Sequence, residues 1–188
     1  MLQPNTPLLL VDIQRGFVNT NSQHVLPVVQ QLAEHWRALG WPIYMSQFTN
    51  HPDSQWERLI GWRRLESEEE IAIHPAVESF SEGAVVYRKR TYTCFTGTFL
   101  ADAKASDWTD IVLCGIATDG CVLATAIDIF EFPDRKMRPI VVRDACASHA
   151  GDEVHGKGLH LLERFIGRQQ VVDCAAIFNQ TALDNVKS

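Results

Sequence analysis

Long apolar runs, paired cysteines and an excess of positive charge are all missing from this 188-residue chain. No stretch approaches the ~18 consecutive apolar residues of a membrane-spanning helix. The start, Met1-Leu2-Gln3-Pro4-Asn5, has neither the charged region nor the apolar region of a secretory leader, and none is expected. The five cysteines (Cys94, Cys114, Cys121, Cys146, Cys174) are odd in number, scattered and free of any CxxC pair. That argues against a disulfide framework or a cysteine-rich zinc site and for a reducing, cytoplasmic setting. With 17 basic and 23 acidic residues the formal net charge is -6, so nothing suggests an electrostatic grip on nucleic acid or an anionic membrane. The first strand is followed by Gln14-Arg15-Gly16-Phe17 rather than GxGxxG, and no GxxxxGK occurs, which removes the usual nucleotide and flavin signatures. The histidines show no HExxH spacing; His155 and His160 read as helix-surface residues. Neither cofactor nor metal is expected. Repeats, low-complexity tracts and linkers are also lacking, and the length suits one domain over residues 1–188.

What is present alternates between strand and helix. Apolar runs at 7–13, 42–48, 84–88, 111–114, 139–143 and 169–172 read as six strands. Helical patterns fall at 24–39, 97–105, 119–130 and 152–166, with Pro27 and Gly40 marking the ends of the first. Continuous apolar strands between helices signal a mostly parallel sheet covered on both faces, an α/β three-layer, doubly wound fold. The segment 49–83 is long and irregular, and its acidic run at 66–70 reads as a solvated face.

Ligands in such a sheet bind outside the carboxyl ends of the strands. Three reactive groups map there: Asp12 after the first strand, Lys89 after the third and Cys121 after the fourth. Cys121 follows the turn Gly115-Ile116-Ala117-Thr118-Asp119-Gly120, with Thr118 or Asp119 as the expected helix cap. A helix N-terminus favours an anion. It can draw a thiol from ~8.5 down to roughly 3.5–7.5, so Cys121 is expected to be an ionised nucleophile. Each group also has a plainer reading: Asp12 as a turn former, Lys89 as a surface lysine, Cys121 as a small buried hydrophobe. The other four cysteines lack the glycine-bearing turn and read as core.

Four segments, in order, resemble the isochorismatase-like cysteine hydrolases, which include nicotinamidases and N-carbamoylsarcosine amidohydrolases. They are Leu8-Leu9-Leu10-Val11-Asp12-Ile13-Gln14 with Phe17; Lys89-Arg90-Thr91-Tyr92-Thr93-Cys94-Phe95; Gly115 to Val122 with Thr125-Ala126; and Asp144-Ala145-Cys146-Ala147-Ser148. The resemblance implies an Asp12–Lys89–Cys121 triad that cleaves a C–N bond of a small amide, ureide or imide through a thioester. It also implies a cis peptide at Ile116–Ala117 and an oxyanion hole from the Ala117 and Cys121 N–H groups. A homo-oligomer, dimer or tetramer, is expected from the same source.

Nicotinamidases carry a DxH metal pair after the second strand. Here that stretch reads Ser46-Gln47-Phe48-Thr49-Asn50-His51-Pro52-Asp53-Ser54, leaving only His51 and Asp53 as conceivable ligands. Isochorismatase chemistry on a vinyl ether needs no thiol nucleophile, so Cys121 favours C–N cleavage. The segment 49–65 is expected to cover the site, with Phe17, Phe48, Trp62 and Tyr92 as pocket walls. Two alternatives stand beside this reading: a non-catalytic ligand-binding or scaffolding member of the fold, and a metal-assisted nicotinamidase-type amidase.

Overall fold

The apolar runs become strands because they can be buried on both faces at once. In the computed structural model, which describes residues 2–133 and 136–182, they form β1 (Leu8–Val11), β2 (Ile43–Phe48), β3 (Val85–Lys89), β4 (Asp110–Ile116), β5 (Arg138–Ala147) and β6 (Val171–Val172). Every neighbouring pair in this sheet is parallel, in the order β3-β2-β1-β4-β5-β6. Helices cover both faces. All four residues of β1 and all seven of β4 are buried, which explains their lack of polar alternation.

The helices are α1 (Leu26–Leu39), α2 (Gln55–Ile60), α3 (Glu68–Ile71), α4 (Pro75–Glu78), α5 (Gly97–Ala105), α6 (Leu123–Phe130), α7 (Asp152–Phe165) and α8 (Cys174–Ala182). In α1 the buried stripe is Leu26, Val29, Leu32, Ala33 and Trp36. Trp36 Nε1 donates to the Thr6 carbonyl at 2.8 Å, which satisfies the indole inside the core. Gly40 ends the helix in the left-handed region at φ 69°.

Several expected boundaries move: β1 ends at Val11, β4 spans Asp110–Ile116, and of the expected strand 169–172 only Val171–Val172 is strand. The fifth strand runs to Ala147, past Arg143, because the register between β4 and β5 shifts between Leu113 and Gly115 and pairing then resumes at Cys146 and Ala147. The segment 49–83 is not featureless; it contains α2, α3 and α4, too short for hydrophobic periodicity to reveal. Its acidic run is also more than a solvated face. Glu70 accepts from Arg64 Nε at 2.6 Å and from the Leu65 N–H at 2.8 Å, while Glu68 pairs with Arg88 at 2.6 Å. No helix among the described residues is long and apolar enough to cross a membrane.

The strand order reverses between β1 and β4, one running on to β2 and β3 and the other to β5 and β6. A crevice opens at the carboxyl ends where such a reversal occurs. Close packing there depends on two glycines. Gly115 sits at φ 132°, and a side chain would collide with the Val11 backbone. At Gly158 of α7, a Cβ would lie 2.8 Å from the Asp119 nitrogen, so only glycine lets this helix rest directly on the turn that carries Cys121.

Candidate active site

Asp12 directly follows β1, in the left-handed region at φ 47°. Its backbone N–H donates to Ser46 Oγ at 3.1 Å, and Ser46 Oγ donates back to Asp12 Oδ1 at 2.6 Å. A serine has a single O–H, so the Cys94 thiol, 3.3 Å from Ser46 Oγ, is left as donor to that oxygen. Ser46 was absent from the expected site, although a polar residue within Ile43–Phe48 is the same signal that drew attention to Asp12.

Lys89, the last residue of β3, turns inward from the basic trio Arg88-Lys89-Arg90 and is buried, which excludes the surface-lysine reading. Its Nζ lies 2.8 Å from Asp12 Oδ2, with both side chains wholly inaccessible. It also donates to the Thr91 and Tyr92 carbonyls at 2.9 and 3.2 Å, and reaches Cys121 Sγ at 3.5 Å. Phe48 lies beneath it, 5.1 Å from ammonium to ring centroid. Asp12 Oδ2 has this ion pair and no hydrogen bond among the described residues, so it is the carboxylate oxygen open to a proton. Burial works to lower the lysine's pKa, yet the charges of Asp12, Cys94 and Cys121 together carry it above the usual range.

Cys121 lies in a π-helical turn, Thr118–Val122, that runs into α6. The Ala117 carbonyl accepts from the Gly120 and Val122 N–H groups, while Thr125 Oγ1 donates to the Cys121 carbonyl at 2.6 Å and accepts from the Cys94 N–H at 2.8 Å. The Ile116–Ala117 peptide is cis. Neither Thr118 nor Asp119 caps this turn, contrary to expectation; Ala117 occupies that position without a side-chain bond, and Thr118 Oγ1 instead pairs with His155 Nδ1 at 2.8 Å. His155 is therefore half-buried rather than a surface residue, whereas His160 is exposed.

The expected ionised thiol is corrected as well. Burial is the largest influence on Cys121 and pushes its pKa well above the ordinary thiol range; the Asp12 charge adds to the rise and Lys89 opposes it. Dipole and ammonium lose to desolvation because the carboxylate already answers the ammonium. The thiol thus sits beside an Asp–Lys ion pair in surroundings that disfavour its ionised form.

Only 5% of Cys121 is exposed, but it is not sealed in packing: it lines a cavity of about 550 Å³. The expected walls Phe17, Phe48, Trp62 and Tyr92 all line it. Phe17 stacks on Trp62 at 5.9 Å, Phe48 meets Trp62 at 5.7 Å and Trp56 at 5.3 Å, and Trp56 meets Tyr92 edge-on at 4.5 Å. Sequence reasoning missed Trp56 and Ile60, which reach the cavity from α2 and its end. Ser54 caps that helix, accepting the Glu57 N–H, and Gly61 ends it at φ 68°. Leu123, Ala124 and Ile127 line the cavity from α6, while Val122, Ala126 and Ile129 of the same stretch are buried in the core. Asp119 and His149 complete the lining.

His51 and Asp53 do not join this site. His51 is exposed with Nδ1 2.9 Å from the Pro52 carbonyl oxygen, and Asp53 is exposed with Arg58 at 3.8 Å. Among the described residues no group of three or more His, Cys, Asp or Glu side chains is placed to hold a metal ion. All five cysteines are free and buried, and Cys121 alone among them lines the cavity.

The molecule is thus a doubly wound α/β protein with a buried acid, ammonium and thiol together at the reversal point of a parallel sheet. The Isochorismatase domain family matches residues 6–174, and the chain belongs to the isochorismatase family and is a hydrolase. No curated protein matches it by sequence. Among solved structures it is similar to a nicotinamidase from Bacillus subtilis (19% identity, TM-score 0.77, covering 90% of this chain and 99% of that one). It is also similar to an isochorismatase-like hydrolase from Alkaliphilus metalliredigens (20%, TM-score 0.79, covering 93% and 98%). An isochorismatase family protein from Burkholderia thailandensis is 25% identical, with TM-score 0.77, covering 93% of this chain and 94% of that one. At 19 and 20% the first two likenesses speak to the fold.

Proposed function

We propose that this hydrolase cleaves a C–N bond in a small amide, ureide or imide, with Cys121 as nucleophile, Asp12 as proton carrier and Lys89 as electrostatic clamp. The observation that carries this reading is the Lys89 ammonium, 2.8 Å from Asp12 Oδ2 and 3.5 Å from Cys121 Sγ, beside the cavity that Cys121 lines.

The chemistry follows from the resting charges. The neutral thiol gives its proton to Asp12 as its sulfur attacks the substrate carbonyl. With Asp12 protonated, the Lys89 ammonium offsets the negative charge that builds on the sulfur during attack and passes to the carbonyl oxygen. The Ala117 and Cys121 N–H groups receive the carbonyl oxygen of the tetrahedral species, a role for which a single donor can be worth about 2.7–4 kcal/mol. Collapse expels the amine with the proton held by Asp12 and leaves a thioester. Asp12 then takes a proton from water, which attacks the thioester and frees the acid and the thiol. The Asp12 and Lys89 side chains are themselves inaccessible to solvent, which strengthens their charge interaction.

Screening primary amides and ureido acids for ammonia release, and imides for the carboxylic acid formed on opening, tests the proposal. Turnover should be lost in Cys121→Ala, by at least about a thousandfold, with the melting temperature preserved. Iodoacetamide should label Cys121 ahead of the four cysteines away from the cavity. Full activity in Cys121→Ala would refute the nucleophile and favour a ligand-binding or non-thiol role.

A further inference from the structure

The cavity walls are apolar and aromatic with two exceptions, and both are left unpaired by the protein. Asp119 Oδ1 and His149 Nδ1 are shielded from solvent and have no hydrogen-bond partner among the described residues. Buried polar atoms are ordinarily satisfied, so two side chains with an unpaired atom on the lining of one cavity single out that wall as its polar side. Neither is there by looseness. Asp119 is held by the π-helical turn against Gly158 of α7. The His149 ring packs on Phe17 at 5.5 Å, and its carbonyl accepts from the Asn19 and Asn21 side chains at 3.0 and 3.2 Å.

Charge gives the pair a direction. Among the described residues Asp119 is the one acidic side chain on the cavity lining, and no lysine or arginine lines it. The nearest ammonium, Lys89, is committed to Asp12 and two carbonyls. Arg64, the cation acting on His149, is committed to Glu70 and the Gly16 carbonyl. Burial lowers the pKa of His149, against the pull of Asp119, so the imidazole adds no fixed positive charge. A carboxylate or phosphate set against Asp119 would meet an acid and aromatic faces, with the Lys89 ammonium already paired to Asp12. A cation would meet the electron-rich faces of Trp56, Trp62 and Tyr92 as well as Asp119.

We infer that Asp119, with His149 beside it, is the specificity determinant of the cavity, selecting amides that carry an N–H donor or a protonated amine and rejecting amides that carry a carboxylate. The inference rests on the cavity being where the amide binds, and it narrows the substrate class to neutral or cationic aromatic-sized amides. Acidic ureides and other anionic compounds fall outside it.

Three probes built on one benzamide ring separate the cases: benzamide, 3-(aminomethyl)benzamide and 3-carboxybenzamide. Their binding to the full-length Cys121→Ala protein is followed by calorimetry, so the readout does not need turnover. The aminomethyl compound should bind at least about tenfold more tightly than the carboxy compound, as expected for a charge-assisted hydrogen bond. In Cys121→Ala with Asp119→Asn that ratio should collapse to about threefold or less, with a melting curve confirming the fold. Equal or inverted affinities, no binding of any probe, or a preference that survives Asp119→Asn each overturn the inference. Absence of ammonia release by the wild-type protein, with the binding preference intact, would sink the hydrolytic reading and leave this one standing.

Discussion

Asp12 and Lys89 define the problem at the residue scale, because two buried charges are tolerable only as a pair. Removing one partner strands the other in an environment that cannot solvate it, at a cost of about 3–5 kcal/mol. Asp12→Asn should therefore lower stability as well as activity. Replacing both, as Asp12→Asn with Lys89→Met, should recover most of the lost stability and none of the turnover. Urea denaturation of the two variants beside the wild type checks this; a double variant no more stable than the single one would show that the pair is not the source of the cost. Ser46 belongs to the same unit, since it fixes the Asp12 carboxylate through Oδ1 and leaves Oδ2 to Lys89. Asp12 and Cys121 stood out in the sequence, one as a charge inside an apolar run and the other after a glycine-bearing turn. The protonation state of Cys121 did not. It depends on burial and on the balance of two neighbouring charges, neither of which is a property of residue order.

Packing between elements decides where Cys121 stands. The π-helical turn is pressed between β4 and α7, and Gly158 is the point of closest approach. Gly158→Ala would place a methyl group 2.8 Å from the Asp119 nitrogen, so either the helix or the turn must move. Overpacking of this kind costs about 1–3 kcal/mol. At this chain length the melting temperature should fall by roughly 3–10 °C. Activity should fall further than stability alone explains, because the displaced turn carries Cys121. A calorimetric scan paired with an amidase assay at a temperature where both proteins are folded would separate the two effects. A variant with wild-type melting and turnover would show that the contact relaxes freely. At this scale the strands were legible, because each is an apolar run long enough to be recognised. The short α2 was not. Six residues give no periodicity, and Trp56 reaches the cavity only because a serine cap and a glycine stop set the helix at that point.

Across the whole molecule, five buried thiols make stability depend on alkaline pH. Burial pushes Cys94 and Cys174 up to about 11 and Cys146 up to about 12, and carries Cys114 and Cys121 well above their ordinary value. In the unfolded chain each ionises near ~8.5. A folded-state pKa raised above the unfolded one contributes stability that is fully present below the unfolded value and is lost as pH rises toward the folded value. The loss should therefore begin above about pH 8.5, with a slope of about 1.4 kcal/mol per pH unit for each thiol still protonated in the native state. The Lys89 pair does not share this window, since its advantage persists until the unfolded lysine titrates near ~10.4. Urea midpoints should hold level from pH 7 to 8 and fall steadily from 8.5 to 10. A level midpoint across that whole range would mean that the thiols are not protected by the fold.

Residue order by itself determined the alternation of strand and helix, the two-sided burial of the sheet, and the local settings of Asp12, Lys89 and Cys121, because periodicity, apolar runs and turn residues act over a few neighbours. The tertiary structure decided the rest. The reversal of strand order between β1 and β4, and the placement of β3 two strands from β1, bring residues 12, 89 and 121 to one crevice. The same assembly carries Asp119 and His149 to one wall with their partners missing. Distances between segments, and the loss of water around them, arise only when the sheet closes, and it is those two quantities that set charge, protonation and selectivity here.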